Sequence, residues 1–475
     1  MEQAAFQNEG MELDRLSCDR ARRSHDARFD GRFFIAITTT GVYCRPICPS
    51  PAAKYEHVRY YATAASAEAA GYRPCLRCLP EASPGTPAWS GTSGLVSRAL
   101  RMINEGALDS DDVESFADRL GVTGRHLRRL FLEHLGSTPH QIALTRRLHF
   151  AKKLLDETRL PMHEVAYASG FGSLRSFNNQ IQQTYSRSPT QLRSMARHRV
   201  AADPECYRFR LAYRPPFDWC GLIRFLEECA VPGVELVQNG QYRRTISDGK
   251  NTGVIGVSRH ESKDELAVEV RFPEPRALLS IIERVRRMFD LAADPAVLEE
   301  HLSNDPLLQA RMNASPGMRI PGAWDGFELA VLAILGQRTA PREAALTAAR
   351  LPLLFGCPVQ DGGGLERTFP LAAQLAHAQL EQADLEPEQA RAIRLLATEV
   401  LSGAIALNSC LDGHSTAAEL ARIPGISRLT AEYISMRALG EPDAFPLDES
   451  EIQGQSERWR PWRAYAAMLL WRDSR

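Results

Sequence analysis

The sequence contains no run of about 18 consecutive apolar residues, the length that a membrane-spanning helix needs. Its N-terminus also lacks a basic head followed by an apolar stretch, which is the pattern of a secretory signal. We therefore expect a cytoplasmic protein that has no membrane partner. In that reducing compartment the ten cysteines indicate free thiols or metal ligands and argue against a disulfide framework.

Net charge is nearly absent as well, since 57 basic and 58 acidic residues leave a formal charge of −1. The charge is unevenly spread, because residues 101–200 carry 15 Lys and Arg but only 10 Asp and Glu. A local basic surplus indicates a nucleic-acid face, although an ordinary solvated surface has the same pattern.

The length of 475 residues exceeds what one core holds and predicts several domains. Residues 81–94, EASPGTPAWSGTSG, are rich in proline, glycine and serine and are typical of a linker. The expected fold is multidomain and mainly α, with α+β parts. Its predicted domains are a small four-cysteine zinc domain (11–82), a double helix-turn-helix domain (95–198), a small antiparallel α+β domain (207–292) and a helix-hairpin-helix domain (293–475).

Four cysteines occur as a CxxxC pair in 43-YCRPICPS-50 and a CxxC pair in 73-RPCLRC-78. Each short turn places two sulfurs on one side of a metal ion, so the pattern predicts a tetrahedral Zn2+ site. A segment of this size with few apolar residues also needs a metal to hold its fold. A purely structural zinc site is the alternative interpretation.

The run from residue 28 to residue 78 resembles the N-terminal domain of the Ada family. The resemblance implies that Cys44 accepts a methyl group from a DNA methylphosphotriester, irreversibly and once per chain. Zinc keeps that sulfur deprotonated, and methylation removes one negative charge, so DNA affinity should rise. Arg45 and Arg73 are candidate phosphate contacts, with plain surface solvation as the alternative. The implied zinc ligands are Cys44, Cys48, Cys75 and Cys78.

Residues 115–141 and 164–191 share one pattern: an alanine, a turn containing Gly121 or Gly170, and a helix with an aromatic anchor. The amphipathic stretch 142-IALTRRLHFAKKLLDETRL-160 joins them. Two helix-turn-helix units on one connecting helix resemble the AraC family of DNA-binding domains. A helical protein-binding bundle is the alternative.

The recognition helices are predicted at 123–131 and 173–183, and the resemblance implies that their first turns enter successive major grooves of promoter DNA. Arginine and asparagine can bond bidentately to guanine and adenine edges. A transcriptional activator of this kind also implies RNA polymerase as a partner. The residues expected to be exposed towards DNA are Thr123, Gly124, Arg125, Arg128, Ser173, Leu174, Arg175 and Asn178.

From 209-FRLAYRPPFDW-219 to Trp471 the chain resembles bacterial 3-methyladenine DNA glycosylases of the AlkA type, with 316-PGMRIPGAWDGFELAVLAILGQ-337 as a further landmark. The resemblance implies that a base flipped out of double-stranded, alkylated DNA enters a pocket lined by Tyr433 and Trp471. Leu429 stands where this family has a tryptophan and where lyase-active glycosylases hold a lysine. No lyase chemistry is therefore expected.

The segment 420–446 is expected to form the helix-hairpin-helix, whose turn offers backbone N–H groups to a DNA phosphate. Gly425 is present, but Ser427 replaces the second glycine of the family turn. A β-carbon at a position that needs positive φ would distort the hairpin. Arg338, which follows Gln337, falls at the position that wedges into the duplex.

Base excision needs a carboxylate that stabilises an oxocarbenium-like sugar. The family aspartate falls at Glu449, four residues after Phe445, with Asp448 as the neighbouring candidate; the family also has a longer segment before Trp459. The Glu side chain is longer than that of Asp by roughly 1 Å, and a misplacement of that size can lower the reaction rate by on the order of 10²-fold. We expect weak or absent excision with DNA binding retained, and a polar loop without catalytic work is the alternative.

Together the resemblances predict an alkylation-response protein that senses methylphosphotriesters, activates repair genes and carries a monofunctional alkylbase glycosylase domain. One alternative is a transcriptional regulator whose glycosylase part only binds DNA. Another is a constitutive transcription factor with structural zinc. No PCHR-type methyl-acceptor motif occurs, so direct O6-alkylguanine reversal is not expected.

Overall fold

The computed structural model describes residues 14–84, 94–196, 206–360, 362–407, 413–448, 450, 452 and 454–471. Contacts divide the chain into two compact units. Unit 1 holds residues 1–215, 274–283 and 291–293, and unit 2 holds 216–273, 284–290 and 294–475. The predicted multidomain, mainly helical fold with small sheets is confirmed. No helix among the described residues is long and apolar enough to cross a bilayer.

Unit 1 combines a small sheet with a series of helices. Its elements are α1 (Arg15–Arg23), β1 (Phe34–Ile37), β2 (Val42–Cys44), β3 (Val58–Tyr61), α2 (Ala64–Ala69), β4 (Arg73–Pro74), α3 (Gly94–Asn104), α4 (Ala107–Ser110), α5 (Val113–Arg119), α6 (Gly124–Leu135), α7 (Pro139–Glu157), α8 (Met162–Ala168), α9 (Leu174–Tyr185), α10 (Pro189–Ser194) and β5 (Cys206–Ala212).

The small sheet has the strand order β3-β1-β2-β4 and packs against helices on both faces. Successive strand residues face opposite sides, so Ile35 packs with α1 and Phe34 packs with α2. β2 and β4 run parallel, with Tyr43 opposite Pro74. This pairing brings Cys44, at the end of β2, beside Cys75, which directly follows β4.

Two helix-turn-helix units flank α7, as the sequence predicts. Gly121 lies between α5 and α6 with φ +72°, and Gly170 lies between α8 and α9 with φ +83°. Glycine adopts this left-handed conformation without steric cost. The aromatic anchors Phe131 and Phe177 are fully buried. Each pair of helices is therefore fixed by a tight turn and one central ring.

Unit 2 combines an antiparallel sheet with a larger helical part; α12 begins in unit 1 and ends in unit 2. The remaining elements are α11 (Trp219–Cys229), β6 (Glu235–Gln238), β7 (Gln241–Ser247), β8 (Thr252–Arg259), β9 (Glu265–Arg271), α12 (Leu278–Met288), α13 (Pro295–Leu302), α14 (Pro306–Ala314), α15 (Gly326–Leu335), α16 (Pro341–Ala348), α17 (Arg350–Phe355), α18 (Ala372–Leu375), α19 (Pro387–Ser402), α20 (Gly413–Leu420), α21 (Arg428–Ile434) and α22 (Arg463–Trp471).

Strands β6 to β9 are consecutive antiparallel neighbours, which confirms the predicted small antiparallel sheet. Arg244 of β7 donates to Glu328 of α15 at 2.7 Å, and both side chains are buried. Burial raises the pKa of Glu328 to about 7. The pair holds α15 against the sheet, and α15 leads directly into the turn that carries Gln337 and Arg338.

The last helix, α22, is held in unit 2 by a half-buried carboxylate. Tyr465 donates its hydroxyl proton to Asp290 Oδ2 at 2.8 Å, and the Ile320 N–H donates to the same oxygen at 3.3 Å. Burial raises the pKa of Asp290 to about 6. These contacts position α22, which ends at Trp471.

Candidate functional site

The four predicted cysteine ligands come together in unit 1. The Sγ atoms of Cys44, Cys48, Cys75 and Cys78 all lie within 4.8 Å of one another, and all four residues are buried. The parallel pairing of β2 with β4 supplies one sulfur from each strand end, and the turn after each strand supplies the second. Two short turns at neighbouring strand ends therefore build one site.

The donor set fits a divalent cation by its charge as well as its spacing. Hydrogen bonds with Cys48 and then with Cys75 raise the pKa of Cys44, because four sulfurs this close cannot all ionise without a counter-charge. A zinc ion supplies that charge and takes four thiolates in tetrahedral geometry. The donor set therefore fits a Zn2+ ion, and these four cysteines are the residues that would hold it.

The four sulfurs differ in their hydrogen bonds. The Arg45 N–H donates to Cys78 Sγ and the Arg77 N–H donates to Cys75 Sγ, each at 3.4 Å. Hydrogen bonds with Cys44 and with the other two thiols lower the pKa of Cys48, and a bond with Ser50 lowers it further. Among the described residues, no amide or hydroxyl donates to Cys44. Exposure does not single out this sulfur, since all four residues are similarly buried.

Arg45 does not lie where a phosphate contact needs it, and the structure contradicts this part of the sequence analysis. Arg45 is only 6% exposed, and its guanidinium donates to Asp30 through Nε at 2.8 Å. Its Nη1 donates to the Cys78 carbonyl at 3.1 Å. Arg73, in contrast, is exposed as predicted, and so is Arg77 between the last two cysteines. The cationic surface beside the metal site therefore comes from Arg73 and Arg77.

The zinc segment contacts α7 through a polar cluster that the sequence analysis missed. Tyr43, next to Cys44, donates its hydroxyl proton to Glu68 Oε1 at 2.8 Å and lies 3.0 Å from His149 Nε2. The other Glu68 oxygen accepts from Thr145 Oγ1 at 2.6 Å. Both His149 and Thr145 belong to α7, so one carboxylate joins the metal segment to the helix between the helix-turn-helix units.

The first turns of both recognition helices are exposed, with one exception. Gly124 is buried against Glu114 and Arg128, which corrects its predicted exposure. Thr123 and Ser173 cap the two helices, because their hydroxyls accept N–H groups of the first turn. Arg128 is partly exposed and bonds to Glu114 at 2.7 Å. The other exposed residues of the predicted set are Arg125, Leu174, Arg175 and Asn178.

In unit 2 the predicted pocket aromatics are neighbours. The ring centroids of Tyr433 and Trp471 lie 5.6 Å apart with the planes at 61°, an edge-to-face pair. Leu429 lies one helical turn before Tyr433 on α21 and is 36% exposed. Both rings are partly exposed, and the position one turn before Tyr433 holds a leucine and no lysine.

Behind Tyr433 lies a buried arginine that sequence reasoning missed. Arg437 donates to the Tyr433 hydroxyl at 2.6 Å and to the Pro321 carbonyl at 2.6 Å. Its guanidinium carbon lies 4.8 Å from the ring centroid of Phe225 and 5.4 Å from that of Tyr433. Arg437 therefore fixes the Tyr433 ring and links it to Phe225. Its position four residues after Tyr433 was the one available sequence signal.

The hairpin between α20 and α21 is intact despite its serine. Ser427 has φ −75°, so this position does not need a glycine, and its hydroxyl caps α21 by accepting the Thr430 N–H at 3.1 Å. The serine therefore does not distort the hairpin. Gly425 does need to be glycine, because its φ is +97° and a β-carbon would lie 2.8 Å from the Ala392 side chain.

Gln337 fastens the hairpin to the end of α15. Its Nε2 donates to the Gly425 carbonyl at 2.8 Å, while its Oε1 accepts the Ser427 N–H at 3.0 Å. In the described part of the chain, the N–H groups of Gly425, Arg428 and Leu429 donate to no other protein group. These exposed amides are available to a phosphate, as the hairpin pattern predicts.

Both borders of the candidate carboxylate loop are fixed. The Phe445 N–H donates to Glu432 Oε2 at 3.1 Å, which ties the loop entry to α21. At its exit, Trp459 Nε1 donates to Asp305 Oδ2 at 2.8 Å. Just before the entry, Asp443 is buried and accepts from Arg463 Nε at 2.8 Å. Both ends of the loop are therefore held by hydrogen bonds within unit 2.

Of the two candidate carboxylates, only Asp448 belongs to the described residues; Glu449 lies outside them. Asp448 is exposed, and its Oδ1 accepts the Ser450 N–H at 3.0 Å. This bond lowers the pKa of Asp448, with a smaller contribution from Arg428. Asp448 is therefore ionised at neutral pH, but it is not enclosed with the two aromatic rings.

Three family profiles match this chain in succession. The profile described as the metal binding domain of Ada matches residues 17–81. A helix-turn-helix domain profile matches residues 116–195. The profile described as the AlkA N-terminal domain matches residues 208–325.

Curated relatives match both the whole chain and its parts. A Mycobacterium tuberculosis relative named as a bifunctional transcriptional activator/DNA repair enzyme AlkA is 38% identical over 474 residues, 96% of this chain and 95% of the relative. DNA-3-methyladenine glycosylase 2 of Escherichia coli is 31% identical over 55% of this chain and 96% of its own length. The bifunctional transcriptional activator/DNA repair enzyme Ada of Escherichia coli is 37% identical over 24% of this chain and 31% of its own.

Proposed function

Since the chain belongs to the family of bifunctional transcriptional activators and DNA repair enzymes that join Ada-type and AlkA-type parts, we propose that Cys44 accepts a methyl group from a DNA methylphosphotriester. One observation carries the choice of sulfur. Cys75 and Cys78 each accept an amide hydrogen bond, and such bonds draw charge from a thiolate and weaken it as a nucleophile. Cys44 has no such donor among the described residues.

The transfer needs no further reactant. Cys44 Sγ attacks the methyl carbon, a sulfur–carbon bond forms, and the carbon–oxygen bond breaks as the phosphate leaves as a diester anion. Zinc supplies the positive charge that keeps the sulfur a thiolate at neutral pH. The exposed Arg73 and Arg77 beside the site attract the DNA backbone, and the released diester carries the charge that they bind.

The test is to find the methyl group. Zinc-loaded full-length protein is incubated with a duplex that carries a single methylphosphotriester, and the peptides are then sequenced by mass spectrometry. The expected result is one methyl group, on Cys44. Methylation of Cys48, Cys75 or Cys78 instead would overturn the assignment, and an unmodified protein would overturn the proposed activity.

Methylation then changes how the chain binds promoters. A centre with four thiolates carries a formal charge of about −2, and one methylation reduces it to about −1. DNA phosphates repel the methylated centre less, so the two helix-turn-helix units bind more tightly. The bound protein then activates repair genes through RNA polymerase. We place this action in the cytoplasm, where free thiolates persist.

The AlkA-type part is proposed to bind alkylated DNA and release alkylated bases as a monofunctional glycosylase. The edge-to-face pair of Tyr433 and Trp471 supports a stacking site for a flipped base. Release is expected to be slow, because the family position holds Glu449 and Asp448 is exposed. A regulator whose AlkA-type part only binds DNA is the second candidate, and the exposure of Asp448 favours it.

Single-turnover release of 3-methyladenine from alkylated duplex DNA separates the two candidates. Slow release that Glu449→Gln or Asp448→Asn abolishes supports excision and identifies the carboxylate. Binding of the same duplex without release by the wild-type chain supports the binding-only reading. Release that survives both substitutions would show that neither carboxylate takes part.

A further inference from the structure

Arg338 projects from a turn that is fastened at its base. The turn joins α15 to α16, and the preceding residue, Gln337, bonds to Gly425, Ser427 and Thr430 of the hairpin region at 2.8–3.0 Å. The Arg338 side chain itself is 81% exposed. The backbone of Arg338 is therefore held beside the hairpin, near the end of α21 that carries Leu429, while its guanidinium is exposed to solvent.

Among the described residues, one ion-pair contact holds the Arg338 guanidinium, and it is weak. Glu388 Oε2 lies 4.0 Å from Arg338 Nη2, and the glutamate side chain is 80% exposed. An exposed pair at the limit of ion-pair distance contributes little and is screened by salt. DNA can therefore displace Glu388 without a large cost, and the guanidinium is then available to the duplex.

We propose that Arg338 reads the base that a flipped nucleotide leaves without a partner, and that it favours cytosine. This inference rests on the proposed binding of alkylated DNA by the AlkA-type part. A flipped base leaves a gap in the duplex and an opposing base whose Watson–Crick edge has lost its hydrogen bonds. A side chain that enters this gap from the hairpin side meets that edge first.

The preference for cytosine follows from the donor pattern of arginine. A guanidinium presents parallel N–H donors and no acceptor, so it needs two adjacent acceptors. The Watson–Crick edge of cytosine has such a pair in N3 and O2. Thymine has an N–H between its two carbonyls, guanine has one carbonyl beside two donors, and adenine has one acceptor beside an amino group. A bidentate fit discriminates by on the order of tenfold or more.

The consequence for the substrate is specific. Cytosine pairs with guanine, so Arg338 directs the site towards lesions that were guanines. Alkylated guanine opposite cytosine is then favoured over alkylated adenine opposite thymine by the opposing base alone, whatever the pocket itself prefers.

The experiment measures binding and needs no base release. Zinc-loaded full-length protein is titrated against four duplexes with a tetrahydrofuran abasic-site analogue opposite C, T, G or A, by fluorescence anisotropy with undamaged duplex as competitor. The expected result is tightest binding opposite cytosine, by roughly tenfold. Arg338→Lys keeps the charge but lacks the planar fork, so the preference should fall below about twofold.

Arg342→Leu is the matched control, because it removes another exposed arginine, from the next helix, α16. It should leave the cytosine preference unchanged, whereas Arg338→Leu should flatten it. Equal wild-type binding to all four abasic duplexes, or a preference that survives Arg338→Leu, overturns the inference and leaves the proposed function standing. A wild-type chain that does not distinguish abasic from undamaged duplex overturns both.

Discussion

Arg45 and Arg73 lie beside the same two cysteine turns, and their sequence contexts look alike. In the fold Arg45 is enclosed and paired with Asp30, whereas Arg73 is exposed on the edge strand β4. The difference lies in Asp30, which is 15 residues before Arg45 in the chain. No local pattern predicts that pairing, because it depends on how the loop before β1 packs onto the turn after β2.

Substituting Arg45 tests this structural role. Arg45→Met leaves the buried Asp30 carboxylate without its cation, so the zinc segment should lose roughly 3–5 kcal/mol of stability. The measurement is urea unfolding followed by zinc release to a chelating dye. Arg73→Met, in the same segment but exposed, should change stability by less than about 0.5 kcal/mol. Equal stability of the two variants would contradict the buried pairing.

Asp290 gives unit 2 a pH dependence of definite sign. Burial raises its pKa from 3.8 to about 6, so the folded state binds this proton more tightly than the unfolded state. Its contribution to stability is therefore complete below about pH 4 and is lost as pH rises through about 6. The loss amounts to at most roughly 3 kcal/mol.

Thermal unfolding of wild type and Asp290→Asn between pH 4 and pH 7 checks this prediction. The difference in unfolding free energy between the two proteins should shift with pH only across that window, since asparagine does not titrate. A free-energy difference that does not change with pH would show that the pKa of Asp290 is not raised. Tyr465 retains a carbonyl oxygen as acceptor in the variant, so the helix position is preserved.

At the scale of elements, helices were more predictable than their ends. The recognition helices were expected at 123–131 and 173–183, but they continue to Leu135 and Tyr185, which are both buried. Each ends at a left-handed residue, Gly136 or Ser186. The periodic pattern located the helices, while the packing of one further turn decided where they stop.

For the hairpin, the sequence suggested a strained turn that the fold does not have. Replacing a family glycine by Ser427 suggested a strained turn, since the sequence alone does not reveal φ. In the fold this residue is a helix cap, a position that serine favours. The positive φ belongs only to Gly425, and the supporting bonds come from Gln337, 88 residues earlier in the chain. Short-range turn chemistry was predictable, and its long-range support was not.

The contact between α2 and α7 has its own test. Glu68→Ala removes the shared acceptor of Tyr43 and Thr145, so local opening of α7 should become easier by roughly 1–3 kcal/mol. Amide hydrogen exchange around Thr145 and His149 should then speed up by about tenfold or more. Glu56→Ala, an exposed acid of the same segment, should leave exchange unchanged. Unaltered amide exchange in Glu68→Ala would show that this carboxylate does not hold α2 and α7 together.

For the whole molecule, the order of functional parts could be predicted because each depends on short motifs. Cysteine spacing, glycine turns and the hairpin segment lie within stretches of the chain short enough to recognise. The polar contacts that join those parts are different. Glu68 reaches Thr145 across 77 residues, and Trp459 reaches Asp305 across 154. Such pairs depend on the completed fold, and a single sequence contains no signal for them.

The charge-based account of promoter binding predicts a salt effect on the whole chain. The ratio of promoter affinity between methylated and unmethylated protein should shrink as salt rises from about 0.05 M to about 0.3 M, because screening weakens the repulsion that methylation relieves. Anisotropy titrations of both forms across that range measure it. A ratio that is independent of salt would favour a conformational mechanism, and an unrelated duplex of equal length controls for non-specific binding.

The place of Cys44 at the end of a buried strand has a consequence for how long a signal lasts. On the proposed chemistry its sulfur becomes a thioether, which lacks a good leaving group at neutral pH. The methylation is then permanent, and the cell loses the methylated chains only as growth dilutes the protein or proteases degrade it. The duration of the response would be set by the lifetime of the polypeptide, and its strength by how many chains have been marked.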